Sequence, residues 1–147
     1  MIRILFLGDI VGDPGRRAIK TRLPEIKVEK DIDFAIVNGE NAAGGRGITP
    51  KIAIELLRAG AAVITTGDHI WDQTEICEYL PTEPRLLRPI NYPPNTPGFG
   101  SIVLETKKGR VGVLNVQGRS FTQPPLENPF YYAAAEVKRM REEEAAQ

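Results

Sequence analysis

The chain has 147 residues, and its nineteen acidic and nineteen basic side chains leave no formal net charge at neutral pH. This length fits one domain with a substantial core, and the charge balance gives no overall field that would favour nucleic acid or an anionic membrane. The single cysteine, Cys77, excludes an internal disulfide and any zinc or iron–sulfur site built from several cysteines. We therefore expect a cytoplasmic protein without a signal peptide. No apolar run approaches the ~20 residues that span a bilayer.

The first half of the chain alternates between apolar strand patterns and helical patterns. Strands are predicted at residues 2–7, 33–38 and 61–66. Helices are predicted at residues 15–29, from Pro50 to Gly60, and at residues 71–80. Thr49 precedes Pro50 as an N-cap, whereas Pro24 is expected to kink or interrupt the first helix. Strands that alternate with helices in this way predict an α/β fold with a parallel sheet.

The second half is rich in proline. Six prolines fall between Pro81 and Gly100 and predict an ordered surface loop over most of that segment. Residues 101–105 and 111–116 predict an antiparallel pair joined by a turn at residues 107–109. A second proline-rich loop, at residues 123–129, leads to a final helix that begins near Phe130.

Each of the three predicted parallel strands is followed by a side chain of the metal-ligand type. These residues are Asp9, the pair Glu40 and Asn41, and the pair Asp68 and His69, the only histidine in the chain. Taken singly, each could be a turn-forming acid, a polar loop pair or a surface histidine. Parallel strands bring their carboxyl ends to one edge of the sheet, where α/β proteins place their sites. Because three junctions coincide there, the sequence favours a metal site.

Two other chemistries can be excluded from particular residues. The spacing of Gly8, Gly12 and Gly15 matches neither the dinucleotide fingerprint nor the Walker A loop. A serine hydrolase with an N-terminal Gly-Asp-Ser nucleophile needs serine where Ile10 stands. It also needs an Asp-His pair near the C-terminus, and this sequence has none there.

Longer motifs surround these residues and extend to about residue 130. They are Gly8-Asp9-Ile10-Val11-Gly12-Asp13-Pro14-Gly15-Arg16, Asn38-Gly39-Glu40-Asn41-Ala42-Ala43-Gly44-Gly45, Gly47-Ile48-Thr49-Pro50, Thr66-Gly67-Asp68-His69-Ile70-Trp71-Asp72 and Arg85-Leu86-Leu87-Arg88-Pro89-Ile90-Asn91-Tyr92-Pro93. The chain thereby resembles the N-terminal part of the YmdB-type branch of the calcineurin-like metallophosphoesterases. The resemblance implies one incomplete domain, residues 1–147, that covers roughly the first half of an αββα sheet sandwich.

The resemblance also implies a role for each candidate residue. Asp9 and Asn41 would bind a first metal, Glu40 would bridge two metals, and Asp68 would bind the second. His69 would be the catalytic imidazole beside the scissile phosphate. The cofactors implied are two divalent or transition metal ions, iron or manganese, with magnesium as an alternative. The substrates implied are phosphodiesters, including 2′,3′-cyclic nucleotides, which such a site hydrolyses with a metal-activated water.

The chain departs from the family pattern in two ways. The family usually has asparagine at the position of Asp68, so the carboxylate here adds a negative charge that favours cations and opposes an anionic phosphate. Three further histidines of the family are absent, and the chain ends after the helix at residues 131–146. The remaining ligands would give each cation two or three protein contacts, mostly hard oxygen, which favours weakly held Mg²⁺ or Mn²⁺.

Three hypotheses follow for this chain. It is a fragment or split half of a binuclear phosphodiesterase that needs its missing half, a non-catalytic metal- or nucleotide-binding regulatory module, or a chain that self-associates through an open sheet edge. An RNA-related role also stays open. Candidate substrate-binding residues are Arg46, Arg88 and Asn91, with Arg16, Arg85 and Arg119 as further phosphate contacts and Trp71 and Tyr92 as nucleobase-stacking groups.

Overall fold

The computed structural model describes residues 1–120 and 126–146. The strands are β1 (Ile4–Leu7), β2 (Phe34–Asn38), β3 (Val63–Thr65), β4 (Leu86–Leu87), β5 (Ser101–Thr106) and β6 (Gly109–Leu114). The helices are α1 (Gly12–Glu29), α2 (Pro50–Arg58), α3 (Ile76–Tyr79) and α4 (Pro129–Glu144), with 3₁₀ turns at Asp68–Trp71 and Leu80–Thr82. None of the helices in these described ranges is both long enough and apolar enough to cross a membrane.

Two sheets form the centre of the molecule. The first has the order β1-β2-β3-β4 with every neighbouring pair parallel, and the second is the antiparallel pair of β5 and β6. Apolar side chains join the two sheets face to face in a cluster of buried residues, Phe34, Val63, Leu87, Val111 and Val113. Proteins bury the apolar face of a sheet against a second layer, and here the hairpin supplies that layer.

Helices cover the two outer faces. Leu23 of α1 and Leu56 of α2 are buried with Ile64 and Leu86 of the parallel sheet, while Met140 of α4 lies close to Gly112 of β6. The order of layers is therefore helix, parallel sheet, antiparallel sheet, helix. The predicted α/β class with a parallel sheet is confirmed.

The helix boundaries differ from the sequence prediction. Helix α1 begins three residues earlier than predicted, at Gly12, and Pro24 does not interrupt it. Pro24 lies on the exposed side of α1, where water can bind the carbonyl group that loses its helical partner. The predicted helix at residues 71–80 was wrong over most of its length, because α3 covers only Ile76–Tyr79. A 3₁₀ turn precedes it, closed by the bond from the Asp72 N–H to the His69 carbonyl, 3.0 Å.

The strand boundaries and one extra strand also differ from the prediction. Strand β4 was missed because it has two residues within the proline-rich segment. Backbone bonds still attach it to the chain along β3, since the N–H of Ile64 donates to the Arg85 carbonyl and that of Thr66 to the Leu87 carbonyl. Strand β6 ends at Leu114, two residues before the predicted end.

Helix α4 is attached to the hairpin through Glu136, which gives a pH-dependent prediction. The Ser101 hydroxyl donates to Glu136 Oε1 at 2.6 Å, and the Arg139 guanidinium forms an ion pair with the same oxygen at 2.6 Å. Arg139 first, and then Ser101, hold the pKa of Glu136 below its ordinary 4.5, although burial opposes them. Glu136→Gln should lower the free energy of unfolding by about 1 kcal/mol at neutral pH. A group with a lowered pKa stabilises the fold above its unfolded pKa, so this loss should shrink as the pH falls below 4.5.

Urea unfolding at neutral and acid pH measures the difference. Glu142→Gln, at an exposed position of the same helix, is the matched control and should change little at either pH. A Glu136→Gln deficit of equal size at both pH values would contradict an electrostatic origin.

Candidate metal centre

The ends of β1, β2 and β3 lie side by side, and backbone bonds fix their spacing. The N–H of Ile10 donates to the Asn38 carbonyl at 3.0 Å, and the N–H of Gly39 donates to the Thr65 carbonyl at 3.0 Å. Asp9, between β1 and Ile10, has a φ of +32°, a backbone conformation that residues other than glycine seldom adopt. Such strain persists only where the surrounding structure enforces it, and it concentrates at functional sites.

A chain of side-chain hydrogen bonds connects the three strand ends. Asn41 Nδ2 donates to Asp9 Oδ1 at 2.7 Å, and Asn41 Oδ1 lies 2.8 Å from His69 Nδ1. Because an ionised carboxylate only accepts, the amide nitrogen of Asn41 must face Asp9 and its oxygen must face the imidazole. His69 Nδ1 therefore carries the proton. The ring is held so that Nε2 lies on its other side, 3.8 Å from Asp68 Oδ2.

Glu40, Asp68 and His69 form a cluster in which one ligand atom from each lies within 4.8 Å of the others. Glu40 Oε1 is 3.4 Å from His69 Nδ1 and accepts the backbone N–H of His69 at 3.5 Å. Among residues 1–120 and 126–146, no lysine or arginine forms an ion pair with Asp9, Glu40 or Asp68. Within the described part of the chain, these carboxylates therefore have the His69 imidazole beside them but no lysine or arginine partner.

Burial raises the pKa of the Glu40 carboxyl above its ordinary 4.5, and the negative charges of Asp68 and Asp9 raise it further. The backbone N–H of His69 and the imidazole charge act in the opposite direction. The charged form of Glu40 is consequently disfavoured in the protein without a cation. A bound divalent ion would remove this penalty, because it compensates the charges that raise the pKa.

Gly67 makes room for the Glu40 carboxylate. A Cβ atom at Gly67 would lie 2.2 Å from Glu40 Oε2 and 2.5 Å from both Oε1 and the carboxyl carbon. The carboxylate therefore rests against a backbone that only glycine leaves open.

Carboxylate oxygens, one amide oxygen and one imidazole are donors that suit a divalent cation such as Mn²⁺, so the residues at the strand ends fit the implied metal.

The hairpin forms the opposite wall of a cleft of about 550 Å³ beside this cluster, with Phe6, Asn38, Thr65 and Leu114 among its lining residues. Asn115 and Gln117, just past β6, also line the cleft. Gln117 Nε2 donates to Asp68 Oδ1 at 3.0 Å. The sequence prediction missed both residues, since it placed Asn115 inside a strand that extended to residue 116 and gave Gln117, the next residue, no role. Polar side chains after an apolar strand were a usable signal there too.

The two arginines predicted to bind substrate differ in their surroundings. The side chain of Arg46 is 71% exposed, in the loop after Asn41, and its Nε lies 2.8 Å from Asp72 Oδ2. The Arg88 guanidinium instead donates to three backbone carbonyls of its own loop, those of Pro89, Thr96 and Pro97. The Arg46 guanidinium is thus exposed to solvent and paired with Asp72. The Arg88 guanidinium is instead bonded to the backbone of its own loop.

Asn91, the third predicted substrate-binding residue, is fully buried. Its Nδ2 donates to the carbonyls of Gln117 at 2.9 Å and Glu127 at 3.0 Å, and its Oδ1 accepts the Gln117 N–H at 3.1 Å. Both atoms of the amide are thus bonded to backbone groups. In this structure the Asn91 side chain joins two loops and does not line the cleft.

The remaining predicted contacts differ in their surroundings. Trp71 and Tyr92 pack edge to face, with ring centroids 5.6 Å apart, and Tyr92 is buried. Arg16 donates to the Ala42 carbonyl at 2.6 Å. Arg85 pairs with Glu83 at 2.8 Å. Arg119 is exposed. The two aromatic rings are engaged with each other in this structure.

Known proteins resemble this chain over most of its length. The family model for YmdB-like protein matches residues 5–147. A 2′,3′-cyclic-nucleotide 2′-phosphodiesterase of Bacillus subtilis is 46% identical over 132 residues, which are 90% of this chain and 50% of that protein. A putative phosphatase/phosphodiesterase of Mycoplasma pneumoniae is 35% identical over 134 residues, which are 88% of this chain and 48% of that protein.

Two crystal structures share the fold. A hypothetical protein from Thermus thermophilus has a TM-score of 0.85 at 37% identity, over 93% of this chain and 53% of that one. A phosphatase from Mycoplasma pneumoniae has a TM-score of 0.86 at 33% identity, over 94% of this chain and 51% of that one. The chain spans about half the length of these relatives. The match to the family model nevertheless covers nearly the whole chain, which therefore belongs to the YmdB-like protein family.

Proposed function

We propose that this chain supplies the carboxylate side of a two-metal site that hydrolyses phosphodiesters, with 2′,3′-cyclic nucleotides as the substrate class. The convergence of Glu40, Asp68 and His69 within 4.8 Å carries the proposal. Membership in the YmdB-like family and the 46% identity to a 2′,3′-cyclic-nucleotide phosphodiesterase support the reaction and the substrate class.

Each residue of the centre has a part in this proposal. Asp9 and Asn41 would hold a first cation, Asp68 would hold a second, and Glu40 would serve both. Bound divalent cations neutralise the phosphate and acidify a water molecule. His69 would give a proton from Nε2 to the departing oxygen when both ring nitrogens carry protons, because the hydrogen bond to Asn41 holds Nδ1 and leaves Nε2 free.

The chemical type of the donor atoms indicates which metal ions the site favours. Its oxygens favour Mn²⁺ or Mg²⁺, and iron is the further ion that the family resemblance implies, so we propose two ions of this group. We propose the cytoplasm as the location, because the one cysteine, Cys77, is an exposed free thiol and such thiols suit a reducing compartment.

An RNA-related substrate is consistent with a 2′,3′-cyclic phosphate. The edge position of β1, with Ile4 and Phe6 at least half exposed, supports contact with further polypeptide, either a segment like the part of the relatives that this chain does not span or a second copy.

A chimera tests the proposal, because the chain spans only half of its relatives. The region of the Bacillus subtilis phosphodiesterase that aligns with this chain is replaced by this chain, and hydrolysis of 2′,3′-cyclic AMP is measured with Mn²⁺ and with Fe²⁺. We expect metal-dependent hydrolysis, lowered about 10²- to 10⁴-fold by His69→Ala, as is typical when a general acid is removed.

The chain is assayed alone in parallel. Turnover by the chain alone would show that its own ligands suffice, and turnover by the chimera alone would show that ligands from elsewhere are needed. A folded chimera that binds Mn²⁺ but does not hydrolyse the substrate would overturn the proposed reaction and favour a non-catalytic metal-binding module.

A further inference from the structure

Gln117 makes a directed contact with one oxygen of Asp68. Gln117 Nε2 donates to Asp68 Oδ1 at 3.0 Å, while Asp68 Oδ2 lies 3.8 Å from His69 Nε2. An ionised carboxylate only accepts, so the amide nitrogen of Gln117 must be the atom that faces it. One oxygen of Asp68 is thereby occupied, and the other remains on the side of the imidazole.

The backbone of Gln117 is fixed from a third segment of the chain. The buried Asn91 amide accepts the Gln117 N–H at 3.1 Å and donates to the Gln117 carbonyl at 2.9 Å. Both hydrogen-bonding groups of one peptide residue are therefore held by one side chain that solvent does not reach. Rotation of the Gln117 backbone would break both bonds in a buried setting, where unpaired polar groups are costly.

Asn115 fixes the same segment relative to the strand that leads to Asp68. Its buried Nδ2 donates to the carbonyls of Thr66 at 2.8 Å and Leu87 at 2.9 Å. Thr66 precedes Asp68 by two residues, as Asn115 precedes Gln117. The end of the hairpin and the end of β3 are thus joined at two successive points. The Asn115 side chain bonds the Thr66 carbonyl, and the Gln117 side chain bonds the Asp68 carboxylate.

We propose that Gln117 is a positioning residue for Asp68, which it holds in the orientation that binds a divalent cation. The proposal rests on the function proposed above, because it requires Asp68 to be a ligand. Gln117 itself acts through Asp68. Side chains that orient metal ligands typically change metal affinity 10- to 100-fold when they are replaced. Gln117→Met, which keeps the length of the side chain and removes its donor, should raise the Mn²⁺ dissociation constant about tenfold.

A double-mutant cycle on the full chain tests this mechanism. Mn²⁺ dissociation constants are measured by electron paramagnetic resonance for the wild type, Gln117→Met, Asp68→Ala and the double variant. If Gln117 acts through Asp68, Gln117→Met should change the constant less than about twofold in the Asp68→Ala background. Gln73→Met is the matched control, because Gln73 Nε2 donates at 2.9 Å to a backbone carbonyl, that of Arg46, and not to a carboxylate.

The outcomes separate this inference from the function on which it rests. A wild-type sequence that binds Mn²⁺ neither as the chain alone nor within the chimera would overturn both. Wild-type binding with an unchanged constant for Gln117→Met, or an equal loss in both backgrounds, would overturn the positioning role alone. Urea unfolding of the metal-free variants verifies that each one folds, and Gln117→Leu takes the place of the methionine variant if that one does not fold.

Discussion

Glu40→Gln is expected to reduce Mn²⁺ affinity by more than about 100-fold and to stabilise the metal-free protein by about 1 kcal/mol. Affinity falls because the Glu40 carboxylate, which lies 3.4 Å from the His69 imidazole within the cluster, becomes a neutral amide. Stability rises because burial and the charges of Asp68 and Asp9 oppose the ionised form of Glu40. Glutamine has the same shape, and its amide oxygen can still accept the N–H of His69.

The pH dependence of this stabilisation has a definite sign. The folded-state pKa of Glu40 is raised, so the penalty for its charge is absent below the ordinary value of 4.5 and fully present above the folded-state pKa. The gain from glutamine should therefore appear at neutral pH and vanish in acid. Thermal unfolding of chelator-treated protein at both pH values measures it.

Glu55→Gln, on α2 and away from the strand ends, is the control for both effects and should leave Mn²⁺ affinity unchanged. A Glu40→Gln protein that binds Mn²⁺ like the wild type would remove Glu40 from the centre. One that is less stable than the wild type at neutral pH would show that Glu40 has a structural role instead.

The sequence predicted that the three strand ends come together, because the relevant information is local. Each of β1, β2 and β3 is a short apolar run followed by ligand-type side chains, and parallel strands must end at the same edge. The positions of Asp9, Asn41 and His69 in one hydrogen-bonded chain follow from that topology.

The opposite wall could not be predicted in the same way. Asn91 and Gln117 are 26 residues apart, and Gln117 and Asp68 are 49 residues apart. Nothing near Asn91 in the sequence indicates that its loop turns inward, and its position among prolines suggested an accessible loop residue. Contacts of this kind depend on how the hairpin packs on the parallel sheet, which local patterns do not specify.

Strand β4 shows a related limit. Two residues are too few to give an alternation or an apolar run, and the surrounding prolines favour a loop. Leu86 and Leu87 form a strand because β3 offers a free ladder edge and both sides of the sheet offer apolar cover. Leu86 is buried with the helices and Leu87 with the hairpin. Tertiary packing thus overrode the local pattern.

Gly67→Ala is expected to weaken Mn²⁺ binding about 10- to 100-fold although every ligand is still present. The new Cβ would lie 2.2 Å from Glu40 Oε2, so the carboxylate has to leave its place against the backbone. The φ of Gly67 is −138°, which is outside the left-handed region, so the added methyl group itself and not a left-handed backbone should cause the effect.

Titration with Mn²⁺ measures the loss, and Gly118→Ala is the matched control, because a Cβ at Gly118 would have no atom within 4 Å. Wild-type affinity in Gly67→Ala would show that Glu40 can bind from another position.

Comparison of the two variants, Glu40→Gln and Gly67→Ala, separates the charge of Glu40 from its position as the cause of lost affinity. Glu40→Gln removes the charge, whereas Gly67→Ala keeps the charge and moves it towards water, where burial no longer raises the pKa of Glu40. Loss of affinity in both variants, with the carboxyl retained in one, would show that the position of Glu40 matters as much as its charge.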